Sequence, residues 1–109
     1  MHKAFKRIME RLADAEAAGK LPDKLCLATY SDDASLRRFR PGESWPGGAA
    51  EHARTMLSIS IAIARKYPTV DVLLKEIDEA KYDAWIVANG LDDTAGNRAA
   101  FITILEKDA

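Results

Sequence analysis

The chain is poor in the residues that build covalent or metal-held sites. It has one cysteine, Cys26, and two histidines, His2 and His52. A lone cysteine closes no internal disulfide, and neither histidine has a second His or Cys at the i+3 or i+4 position that a helical zinc site needs. The pattern therefore asks for no metal and no other cofactor. Long apolar runs are missing too, and no apolar signal-peptide segment follows the basic start at His2, Lys3, Lys6 and Arg7. Cys26 sits in the apolar stretch Leu25-Cys26-Leu27-Ala28, which predicts a buried reduced thiol in a cytoplasmic protein without membrane association. The glycines Gly42, Gly47 and Gly48 lack the spacing of a phosphate-cradling loop.

Net charge is also small, −1, which argues against a generic polyanion binder. It is unevenly spread: residues 1–40 carry +3 and residues 41–109 carry −4. Any surface that meets nucleic acid would be in the N-terminal third.

What remains is ordinary globular material, 48% hydrophobic and 30% charged over 109 residues, enough for one core and too little for two. Residues 1–109 are read as a single domain. Phe5, Ile8, Met9, Leu12 and Ala15 recur at helical intervals, predicting a helix from His2 to Ala18 that Gly19 and Pro22 terminate. Residues 49–66 read as a second helix by length, although Leu57, Ile59, Ile61 and Ile63 alternate as a strand would. Its wide apolar face, 56–63, would suit a central helix or a homodimer contact. Thr69 is expected to cap a third helix, with Val70, Leu73, Leu74, Ile77, Ala84, Trp85 and Ala88 on its buried stripe and Trp85 in the core. Asn89-Gly90 ends it, and Asp92 or Asp93 starts a last helix that buries Phe101, Ile102 and Leu105. The fold class is thus mainly α, a small domain of four to five helices.

Residues 24–40 fit two readings. In a β-hairpin, 24–30 and Leu36–Arg40 pair across a Ser31-Asp32-Asp33 turn. In a short helix-turn-helix, Pro22 opens one helix, and Ser31 or Asp32 caps a second carrying Leu36 and Phe39. Read the second way, Pro22–Arg40 with the following Pro41-Gly42-Glu43-Ser44-Trp45-Pro46 resembles the helix-turn-helix of phage-repressor-type regulators. The resemblance covers about a quarter of the chain. It implies that Leu25 and Cys26 lie in the first helix, that Leu36 and Phe39 form the buried side of the recognition helix, and that Arg37, Arg38 and Arg40 face DNA.

Catalytic constellations are weak in the sequence. His52, beside Glu51, reads as an exposed residue on a helix face, and a Cys26–His52 nucleophile pair has nothing in the spacing to require it. Asp32-Asp33 and Asp92-Asp93 stand where turns or helix caps are wanted. The function expected first is a non-catalytic regulatory or inhibitory module that binds a protein partner, with Arg37, Arg38, Arg40 and an exposed Trp45 as interaction residues. A DNA-binding regulator using 22–40 is the second expectation, and an enzyme with an unrecognised site the third.

Overall fold

The computed structural model describes residues 3–107, so His2 lies outside the described residues. Among them the chain forms five helices and two strands, α1 Lys3–Ala17, β1 Lys24–Thr29, α2 Asp33–Phe39, α3 Gly48–Lys66, β2 Asp71–Glu76, α4 Glu79–Ala88 and α5 Ala95–Lys107. A mainly α domain is what the periodicity predicts.

The first helix ends as the sequence requires. Gly19 takes φ +69, its N–H bonds to Glu16 O at 3.0 Å, and Lys20 N–H reaches Ala15 O at 2.8 Å, which satisfies two carbonyls that the helix end leaves over. Gly90 closes α4 the same way, with φ +62 and Leu91 N–H on Ile86 O at 2.9 Å.

Residues 24–40 adopt neither expected form. They are a strand followed by a helix, joined at Asp32, whose side chain accepts the Ser35 amide at 2.7 Å and so caps α2. Asp32 is one of the two caps that the helical reading of this segment offers, and Leu36 and Phe39 are both buried, as that reading requires. The segment expected as the first helix is β1, so the helix-turn-helix arrangement does not form, and the support that the resemblance lent to DNA binding goes with it. The hairpin fails because β1 pairs elsewhere. It runs parallel to β2, Lys24 opposite Asp71 through Thr29 opposite Glu76, and Cys26, Leu27 and Ala28 are buried in succession. A parallel strand covered on both faces reads as a continuous apolar run.

The second correction is β2. Val70, Leu73, Leu74 and Ile77 happen to fall at helical intervals, but pairing with β1 makes 71–76 a strand, with Val70 and Ile77 buried just outside its ends and Leu73 and Leu74 exposed. Thr69 therefore caps no helix. Asp78 caps α4 instead, accepting the amides of Ala80 at 3.0 Å and Lys81 at 3.3 Å. Thr94, not Asp92 or Asp93, caps α5 through the Asn97 amide at 3.1 Å.

α3 packs against both strands, and α5 packs against β1. The conflict within 56–63 resolves as a helix: Met56, Ile59 and Ile63 point into the core, while Leu57 and Ile61, most of half a turn of the wheel away, are exposed. Most of that apolar face is core. Trp85 packs against the core but is only partly buried, and the fully buried ring of α4 is Tyr82.

Candidate functional site

The arginines that the sequence singles out go to three different environments. Arg38 is half-buried and held by three carboxylates. Its Nη1 donates to Glu79 Oε1 at 2.8 Å, and its Nη2 donates to Asp83 Oδ1 at 2.9 Å and to Asp93 Oδ2 at 3.1 Å. Its guanidinium also lies 5.1 Å from the Tyr82 ring centre. These carboxylates hold its pKa above the ordinary arginine value, the Glu79 bond contributing most. Arg98 completes the cluster, with Nε on Asp93 Oδ1 at 2.7 Å and Nη1 on the Arg38 carbonyl at 3.1 Å. This network ties α2 to α4 and to the start of α5.

Arg37 is exposed on α2, beside a shallow hollow that Arg40, Glu43, Trp45 and Pro46 also line. Arg40 borders both this hollow and a larger cleft. Its Nε donates to Tyr30 Oη at 2.9 Å, and its Nη1 lies 3.5 Å from Glu43 Oε2. Trp45, expected at the surface, is buried. Its indole N–H donates to Glu43 Oε1 at 3.0 Å, and its ring meets the His52 ring edge-on at 4.7 Å. His52 is likewise buried, not exposed, because the Trp45 ring of the 41–47 loop and the Tyr30 ring, at 5.1 Å, both pack against it. Two aromatic neighbours, on β1's end and in the loop, are a tertiary arrangement that helical position could not reveal.

These residues form one end of a larger feature. Between α1 and β1 runs an open cleft of about 660 Å³. Ile8, Leu12, Leu25 and Met56 supply apolar lining, and three arginines, Arg7, Arg11 and Arg40, line it with one acidic residue, Glu43, which pairs with Arg40. Arg7 and Arg11 stand one turn apart on α1, exposed, and enter no ion pair among the described residues. Cys26 and His52 also line the cleft, both buried. Among the described residues no group of three or more His, Cys, Asp or Glu side chains is placed to hold a metal ion.

Arg7 and Arg11 are the functional candidates that sequence reasoning missed. The signal was present, since both border the stripe of Ile8, Leu12 and Ala15 on one amphipathic helix. What the sequence lacked was β1 as the opposite wall. No protein-family model matches the chain, and no curated protein matches its sequence. No helix among the described residues is long and apolar enough to cross a membrane.

Proposed function

We propose that this protein is a small regulatory or inhibitory module that acts by binding a protein partner, taking an acidic amphipathic segment of that partner into the cleft between α1 and β1. The observation that carries the reading is the composition of the cleft: an apolar lining with three arginines and a single carboxylate. Guanidinium groups pair with carboxylates through two parallel hydrogen bonds, and an apolar floor takes up the side chains between them. The +3 charge of residues 1–40 favours encounter with an acidic segment over a basic one. A reducing, cytoplasmic setting suits the buried Cys26 thiol.

The test is affinity capture from the native host on immobilised wild type and on the double variant Arg7→Glu/Arg11→Glu, with Leu57→Glu/Ile61→Glu as a surface control. The reading expects a partner retained by wild type and by the control, released by added salt, and lost from the charge-reversed α1 variant. Equal retention by all three chains contradicts it.

A further inference from the structure

The sheet has two strands, and the hydrogen bonds between them show which groups of β2 are used. Asp71 N–H donates to Asp23 O at 2.7 Å, and Ile77 N–H donates to Thr29 O at 2.9 Å. Parallel pairing engages every second residue, so Asp71, Leu73, Lys75 and Ile77 turn their backbone groups toward β1. Val72, Leu74 and Glu76 present theirs to the opposite edge, where no strand lies among the described residues. Edge strands are normally interrupted by charge or proline at their centre. The centre of this one is Leu73 and Leu74, 36% and 40% exposed, with charge displaced to Asp71, Lys75 and Glu76.

We propose that the free edge of β2 pairs antiparallel with β2 of a second copy of this chain, about a two-fold axis through Leu73, joining the two small sheets into one of four strands. Parity and charge select that register. In an antiparallel ladder both members of a hydrogen-bonded pair must turn their backbone groups toward each other, so only Val72, Leu74 and Glu76 can form such pairs. An axis through Leu73 sets Val72 against the second copy's Leu74, and the reverse, each couple exchanging a pair of hydrogen bonds. Between them, in the closely spaced positions, Leu73 meets its own copy, and Asp71 meets Lys75 on both sides of the axis. An axis through Leu74 would set Val72 against Glu76 and Leu73 against Lys75. One through Val72 would set Asp71 against Leu73. Only the first register is apolar at the centre with two opposite-charge pairs flanking it. The strand edge is separate from the cleft, so dimerisation and partner binding are independent properties.

Sedimentation equilibrium of the full chain over a range of concentrations tests this, with circular dichroism of each variant as the control on folding. Wild type is expected to show a monomer–dimer equilibrium. Leu73→Lys, which brings two ammonium groups together at the axis, should leave only monomer. Asp71→Lys and Lys75→Asp should each weaken association about tenfold, and the double swap Asp71→Lys/Lys75→Asp should restore it. Arg7→Glu/Arg11→Glu and Leu57→Glu/Ile61→Glu should both leave it unchanged. A wild type that is monomeric throughout, a dimer indifferent to Leu73→Lys or lost with Leu57→Glu/Ile61→Glu, or a double swap that fails to restore association would overturn the proposal.

Discussion

Tyr82 and Asp93 are joined by a 2.7 Å hydrogen bond from the phenol to Oδ1, across the turn between α4 and α5. The ring of Tyr82 is fully buried, edge-on to Phe39 at 5.2 Å and to Phe101 at 5.4 Å, so its hydroxyl is fixed where the carboxylate meets it. Asp93 in turn accepts from Arg98 and Arg38. One bond therefore connects the aromatic core to the ion network that ties α2, α4 and α5 together.

Acid should weaken this junction first. Arg98, then the Tyr82 hydroxyl and Arg38, hold the Asp93 carboxyl well below the usual carboxylate range, although burial opposes them. A depressed folded-state pKa contributes stability that is complete above the ordinary aspartate value and is lost as pH falls toward the folded one. Urea midpoints for wild type should accordingly decline as pH falls below about 4. Asp93→Asn, which has no proton to gain, should start lower at neutral pH and show a flatter acid limb. Parallel profiles for the two chains would remove Asp93 from the account.

Arg38 and Arg37 should separate cleanly. Removing Arg38 leaves Glu79, Asp83 and Asp93 without their shared cation, whereas Arg37 is exposed. Arg38→Ala should lower the unfolding midpoint, and Arg37→Ala should leave it within about 0.5 kcal/mol of wild type. Equal effects in thermal or urea melts would mean that the network does not hold the helices.

For α4 the ring that matters to stability is Tyr82. Truncating it to alanine should cost about 3–5 kcal/mol, the range for buried aromatic side chains. Trp85→Ala should cost less, because that ring is only partly buried. Chemical denaturation of the two variants decides the order, and a larger loss at Trp85 would restore the sequence's choice of core residue.

Gly48 differs from Gly90 although both have positive φ. A Cβ at Gly48 would collide with the Asp33 carboxylate, which accepts the Ala49 amide at 2.8 Å, whereas a Cβ at Gly90 meets open space. Gly90→Ala should carry only the left-handed backbone penalty, about 1–2 kcal/mol. Gly48→Ala adds displacement of Asp33 from the start of α3 and should be measurably worse. Equal losses would show that Asp33 moves aside without penalty.

Much of this was legible locally. The end of α1 at Gly19, the Asp32 cap, the burial of Cys26, Leu36, Phe39, Phe101 and Ile102, and the helical form of 49–66 follow from spacing and capping chemistry. The misread strands share one cause. β1 and β2 are partners separated by two helices, and nothing near Leu73 and Leu74 distinguishes a helical stripe from a strand until Cys26 and Leu27 lie opposite them. The cleft is hidden for the same reason: Arg7 and Arg11 are visible as a pair on a helix, but Arg40, Glu43 and Met56 join them only in three dimensions.

The central claim is that the cleft between α1 and β1 receives the partner. It is tested most directly by ¹H–¹⁵N shift mapping of the labelled chain, titrated with the protein that wild type retains and Arg7→Glu/Arg11→Glu releases. The account expects the largest perturbations along α1 from Arg7 to Ala15, in β1 from Leu25 to Ala28 and around Arg40 and Glu43, diminishing as salt is added. Perturbations confined to the outer face of α3 at Leu57 and Ile61, or to α5, with the cleft residues unmoved, would contradict it.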